Sequence, residues 1–264
     1  MLENTKFLAF DTSTDRMSVA VTDGDRVWQH SGPGGAQASS TLIPAVMALL
    51  AEAGLGLGDL RAVVFGRGPG SFTGLRTACA VAQGLALGAQ RGAGIAVLPV
   101  DSLMALAEEA RFQFMASCQG AVSAVHPSQP LEVIALLDAR MNEMYCQRYV
   151  FTGGVWSPHD ACHLISPEAL VTGYSTTLVA GNVFDVYAGR LPDLASFTCI
   201  EAFPTASALL RLAPALAAEG RCVDAALALP LYVRDKVALT TEERAVVKKA
   251  KAEAALAEPG AVSR

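Results

Sequence analysis

Histidine is scarce in this chain, with four in 264 residues, and His30, His126, His159 and His163 neither fall at ligand spacing nor adjoin a visible nucleophile. Histidine-based acid–base catalysis therefore has no support. The six cysteines (79, 118, 146, 162, 199, 222) are scattered without a Cys-x-x-Cys, and Cys162-His163 is the one adjacent soft pair. Neither a zinc site nor a disulfide framework is expected from such spacing. Charge is also sparse: 17% of residues carry it and the net is −5, which argues against tight nucleic-acid binding by this chain alone. That affinity rests on neutralising phosphates, so a role in RNA chemistry needs a basic partner. Although 52% of residues are hydrophobic, glycine, arginine or glutamate interrupts the apolar stretches, and no secretory pattern opens the sequence. Neither a membrane span nor a leader is expected, and a cytoplasmic chain is.

What the chain does have is Gly66-Arg67-Gly68-Pro69-Gly70-Ser71-Phe72-Thr73-Gly74-Leu75-Arg76, four glycines and a proline between a short apolar run and a long Ala-rich one. Ala62 to Phe65 reads as a buried strand and Thr77 to Gln90 as a helix, so the loop opens a helix N-terminus. Such a place suits phosphate, carboxylate or a partner's backbone. The glycine spacing is wrong for a Walker loop and no lysine follows; no acid stands about twenty residues on, as a dinucleotide fold requires. Ser71 lies in Gly-Ser-Phe and not in Gly-x-Ser-x-Gly, which leaves a hydrolase elbow unsupported. The pattern alone fits a tight structural turn or a functional surface equally well.

Around this loop the order is strand (7–10), strand (17–22), strand (26–30), helix, strand, helix, strand (94–98), with Asp23-Gly24 as a hairpin signal. Leu42, Val46, Leu49 and Leu50 share a face of the first helix, with Pro44 placed in its first turn and Gly54 at its end. A fragment then recurs. Leu8 to Phe10 ends in Asp11 before a second strand, and Leu131 to Leu137 ends in Asp138 before another, at the same offset. Internal duplication into two similar lobes explains this. The stretch from Arg111 to Pro130 lacks a period and reads as a surface excursion. Thr240 with Glu243 forms a capping box at the head of a solvated tail.

Asp11-Thr12-Ser13-Thr14 puts a carboxylate and three hydroxyls in one turn, suited to magnesium and phosphate or simply to satisfying its own backbone. Asp138-Ala139-Arg140 with Glu143 is a second charged turn, read as an ion pair bracing the strand connection. On the second helix Ala80, Gly84 and Gly88 recur every four residues, as do Ala78, Ala82 and Ala86, which lets another helix approach closely, from this chain or another.

Leu8 to Thr14, the loop 66–76 and Leu137-Asp138-Ala139-Arg140-Met141-Asn142-Glu143-Met144-Tyr145 together resemble the bacterial TsaB family, whose Pro-x-Tyr-Leu-Arg motif appears as Pro230-Leu231-Tyr232-Val233-Arg234. The sequence departs from the family pattern at Ala38, where many members carry a histidine. The resemblance implies an α/β fold with two lobes of the actin/sugar kinase/Hsp70-like (ASKHA) class, each ribonuclease H-like. A first lobe over 1–105, a second over 106–204, a helix and strand segment packing back over 205–239 and a tail over 240–264 are expected.

The family assists in making threonylcarbamoyladenosine in tRNA and is similar to the catalytic TsaD subunit, which holds a metal through a His-x-x-x-His pair. Ser102 and Leu106 stand at those two places here, so the resemblance implies a scaffold with no metal or catalytic residue of its own. Implied partners are a TsaD-type catalytic subunit and a TsaE-type ATPase, with tRNA met only through the complex and a homodimer when alone. The implied surface is the helices of the first lobe: Leu42 and Val46 on one, Thr73, Arg76, Ala80, Gly84 and Gly88 on the other. ATP or ADP is implied near the TsaD junction, with Asp11, Thr12, Ser13, Gly70 and Ser71 as phosphate candidates. An independent ATP-dependent kinase or hydrolase of the same fold is the alternative.

Overall fold

The structure is a computed structural model that describes residues 6–89, 94–118, 130–172 and 177–234; the tail after 240 and the stretch 119–129 lie outside them. Residues up to Val233 form one compact unit.

Strand β1 (Phe7–Asp11) is buried throughout. Successive strand side chains point to opposite faces, so Phe7 and Ala9 enter one core and Leu8 and Phe10 another, and both faces of the sheet need cover. With β2 (Arg16–Thr22), β3 (Val27–Pro33), β4 (Ala62–Gly68) and β5 (Ala96–Asp101), β1 forms a sheet in the order β3-β2-β1-β4-β5. β1, β2 and β3 pair antiparallel, whereas β4 lies parallel to β1 and β5 parallel to β4.

The second sheet repeats this plan. β6 (Leu131–Asp138), β7 (Met144–Thr152), β8 (Val155–Pro158), β10 (Leu178–Gly181) and β11 (Thr198–Glu201) are ordered β11-β10-β6-β7-β8, and β9 (His163–Ile165) adds to the edge of β7. Pairing is antiparallel from β6 through β7 to β8 and parallel from β6 through β10 to β11. Strand for strand, this is the order and sense of the first sheet, and it gives the suspected duplication its geometry.

Helices cover the two sheets unequally. α1 (Ala38–Ala53) and α2 (Phe72–Gly88) lie on the outer face of the first sheet, burying Leu42, Val46, Leu49, Leu50, Ala78, Ala82 and Ala86. α3 (Ser102–Ser117) packs on β6 and β10, α4 (Ala206–Ala218) packs on β1 and β2, and the two helices pack on each other. One apolar core therefore runs from the first sheet through α3 and α4 into the second. Glu108 of α3 bolts it: Arg111 and Arg211 donate to its carboxylate at 2.8 Å and Trp156 Nε1 at 3.0 Å.

Three sequence expectations change. Arg111 to Ser117 is the last part of α3, not a loop, and its period is weak because this end of the helix is mostly exposed and buries no full stripe. α2 begins at Phe72, not Thr77, so the end of the glycine loop is itself helical. α1 begins at Ala38, which moves Pro44 from the first turn to the second, at an exposed position. By length and composition Gly35–Ala53 would suffice to cross a membrane, contrary to expectation, but the core helix of a soluble protein passes the same test. Beyond α4 the chain turns back over α2: Val223 bridges to Val97, a 3-10 turn follows at Ala225–Leu227, and Leu231 N donates to Arg67 O at 2.7 Å.

Candidate functional site

The turn after β1 is closed by the chain itself. Ser13 donates to Asp11 Oδ1 through its amide at 2.8 Å and its hydroxyl at 2.6 Å, while Ser102 Oγ donates to Asp11 Oδ2 at 3.1 Å. Thr12 Oγ1 donates to Gly74 O at 2.8 Å, and Ser71 N donates to Ser13 O at 2.7 Å. A Cβ at Gly74 would overlap the Thr12 carbonyl oxygen, and one at Gly70 would meet Ser13. These glycines let the loop seat directly on the turn. Asp11, Thr12 and Ser13 are left 1%, 0% and 2% exposed.

The side-chain oxygens of Asp11, Thr12 and Ser13, expected as phosphate candidates, are thus buried and bonded within the chain. Gly70 is held in the same closure, and only the Ser71 side chain faces solvent. Burial pushes the Asp11 carboxyl above the usual carboxylate range, although hydrogen bonds from Ser13 and Ser102 pull it back in part.

Ser102 and Leu106 are both fully buried, one bonded to Asp11 and the other in the apolar core. Among the described residues no group of three or more His, Cys, Asp or Glu side chains converges to hold a metal ion. A concavity of about 310 Å³ is lined by Cys146, Arg148, His159, Asp160 and His163. Burial, helped by the Asp160 charge, pushes the Cys146 thiol up to about 12. Cys162 is likewise pushed to about 12 by burial and then by Asp101. Both stay protonated near neutrality, which suits neither a nucleophile nor a soft metal ligand.

In the equivalent turn of the second lobe the Asp138 carboxylate is also nearly buried, but Arg140, Met141 and Asn142 after it are exposed. Arg140 N donates to Asp138 Oδ1 at 2.9 Å, repeating the Ser13–Asp11 contact, and Arg140 Nη1 pairs with Asp138 Oδ2 at 3.3 Å as the sequence suggested. Arg140, Met141 and Asn142 have φ of 61°, 56° and 62°, three consecutive non-glycine residues in the left-handed region. Each costs about 1–2 kcal/mol, so the turn needs outside support. Tyr187 Oη donates to Asp138 Oδ1 at 2.7 Å and Arg190 Nη1 to Asn142 Oδ1 at 2.9 Å.

On α2 the two small-residue stripes separate. Ala78, Ala82 and Ala86 are fully buried against this chain, whereas Thr73, Arg76, Ala80, Gly84 and Gly88 are exposed, and a Cβ at Gly84 or Gly88 would meet nothing within 4 Å. α1 gives a different result: Leu42 and Val46 are 0% exposed, so neither can touch a partner. Their neighbours Ile43 and Met47, at 47% and 51% exposure, stand outward on the helix that packs beside α2, and Leu87 at 59% extends the patch. The heptad-like spacing of Leu42 and Val46 marked the core side of α1, and the outward apolar pair one position on was missed. Ala38, where family members carry histidine, is also fully buried.

A family model described as TsaD, tRNA N6-adenosine threonylcarbamoyltransferase, matches residues 33–180, more than half of the chain. The Escherichia coli K12 tRNA threonylcarbamoyladenosine biosynthesis protein TsaB is 30% identical over 242 residues, spanning 88% of this chain and 96% of that protein. The Haemophilus influenzae protein of the same description is 36% identical over 56% of each chain. Among solved structures, YeaZ from Pseudomonas aeruginosa superposes with a TM-score of 0.72 at 34% identity, covering 86% of this chain and 99% of that one. The architecture these share with the duplicated sheets is the two-lobed, actin-like fold.

Proposed function

This chain belongs to the TsaB family, and from that membership we propose that it is a non-catalytic subunit of the machinery that builds threonylcarbamoyladenosine in tRNA, pairing with a TsaD-type catalytic subunit. The observation that carries this reading is the contrast between the sealed Asp11 turn and the open face of α1 and α2. A turn whose carboxylate and hydroxyls are consumed internally has nothing to offer a substrate. A patch of Ile43, Met47, Ala80, Gly84 and Leu87 has apolar area and little bulk, which lets a second pair of helices approach closely. Because the TsaD family model covers the residues of both helices, a TsaD-type partner carries a comparable pair.

In this reading the same face serves a second copy of the chain when TsaD is absent, and the assembly supports docking of a TsaE-type ATPase. ATP or ADP used by the complex sits at the TsaD junction, outside the Asp11 turn, and tRNA is met through the cytoplasmic complex. An independent kinase or hydrolase lacks an accessible phosphate turn among the described residues. Reconstitution tests the proposal: purified chain alone makes no modified adenosine, and activity appears only with TsaD-, TsaE- and TsaC-type proteins from the same source. Robust modification by this chain unaided would overturn it.

A further inference from the structure

At the start of α2 three exposed side chains are already assembled. The Arg76 guanidinium lies 3.7 Å over the Phe72 ring, its Nε donates to Tyr232 Oη at 3.1 Å, and the Phe72 and Tyr232 rings are 5.3 Å apart. Phe72 and Tyr232 nevertheless remain 38% and 44% exposed. Tyr232 comes from the far end of the sequence and is held on a fixed strap. Cys79 Sγ and Gln83 Nε2 both donate to Ala228 O, Leu231 N donates to Arg67 O, and Arg67 pairs with Asp101 at 2.6 Å.

We propose that Arg76, clamped by Phe72 and Tyr232, is a docking fork for a carboxylate side chain on the TsaD-type partner; this rests on the pairing proposed above. Nε is committed to Tyr232, and among the described residues no acceptor stands on the outer nitrogens, which form the bidentate edge that matches a carboxylate. The clamp removes rotamer freedom before binding, so little is lost on association. Arg76 is the sole cation on α2, and the stripe running on from it is Ala80, Gly84 and Leu87. Nucleic acid needs several phosphate contacts, and one arginine beside an apolar stripe does not supply them. A single acid on a protein surface fits both features. Arginine and tyrosine in such a setting are the residue types that dominate interface energies.

The test is titration of the TsaD-type protein from the same source with the wild-type chain and with Arg76→Ala, Arg76→Lys, Tyr232→Phe and Gly84→Leu, alongside thermal unfolding of each. Arg76→Ala is expected to weaken association about 30-fold with an unchanged unfolding midpoint. Arg76→Lys recovers little of that, because an ammonium cannot form the fork. Tyr232→Phe keeps the ring and loses about threefold. If Arg76→Ala binds as wild type while Gly84→Leu does not bind, the fork is overturned and the pairing face stands. A wild-type chain that does not associate at all overturns the pairing and the fork together.

Discussion

The two lobes share a strand order and pairing sense but differ in what lies over them. The first sheet carries α1 and α2 on its outer face, whereas among the described residues no α-helix covers the outer face of the second. There Val183, Tyr187, Leu191, Leu194 and Phe197, on turns between β10 and β11, pack against Ile134, Leu136 and Met144. The aspartate turns differ as well: in the first lobe the whole turn from Asp11 to Ser13 is buried, whereas in the second only the Asp138 carboxylate is, and Arg140 to Asn142 stand exposed. A duplicated scaffold has thus kept its sheets and let its surfaces diverge. Helices cover the first sheet's outer face, and the glycine loop of the same lobe seats on the turn after β1.

The largest effect is expected where the lobes are joined. Glu108→Ala strips the acceptor from Arg111, Arg211 and Trp156 in a nearly water-free site and should cost about 3 kcal/mol or more in denaturant unfolding. Burial alone would raise this carboxyl, but the hydrogen bonds from Arg111 and Trp156 and the charges of Arg111 and Arg211 hold it below its ordinary value of 4.5. Its contribution is therefore complete above that value and is lost as pH falls through the lower folded-state pKa. Glu108→Gln should then show a shallower loss of stability in acid than wild type.

Gly74→Ala attacks the sealed turn, because the added methyl overlaps the Thr12 carbonyl; a loss of roughly 2–3 kcal/mol is expected by thermal or chemical unfolding. Gly84→Leu on the same helix points into open space and, leucine being the better helix former, should raise stability by up to about 1 kcal/mol while abolishing association with the TsaD-type protein. If both glycine variants unfold alike, the division of α2 into a core side and a free side fails. In the equivalent turn of the second lobe, Met141→Gly relieves a left-handed non-glycine residue and should stabilise by up to about 1 kcal/mol.

The smallest expected effect is a matter of pH. Asp11 is raised above its ordinary 3.8 by burial, so its stabilising share is complete below that value and declines as pH rises through the folded-state pKa, opposite in sign to Glu108. Asp11→Asn keeps an acceptor for Ser13 and offers a donor to Ser102. It should gain on wild type as pH increases, and parallel stability curves would show that burial does not raise the Asp11 carboxyl.

The succession of strands and helices in the first lobe and the repeat at Asp11 and Asp138 were legible because hydrophobic patterning and the aspartate offset are local signals. The fate of the glycine loop was not. Its pattern speaks of close backbone approach without saying to what, and the answer, Thr12 and Ser13, comes from the other end of the first lobe. The stripe of Ala80, Gly84 and Gly88 was visible as spacing, but only packing separates it from Ala78, Ala82 and Ala86. Periodicity on α1 selected Leu42 and Val46 because core residues carry the strongest period, and Ile43 and Met47, which face outward, add nothing to it. Tyr232 could be seen only as a motif residue, since its contact with Arg76 spans 156 residues of sequence.

The most direct measurement is co-purification of this chain with the TsaD-type protein from the same source, coupled to an assay for threonylcarbamoyladenosine. A stable pair is expected, lost in Gly84→Leu, with modified adenosine formed only in the complete mixture. Modification by this chain alone, or pairing by Gly84→Leu as strong as wild type, would contradict a sealed, non-catalytic lobe that works through its helix face.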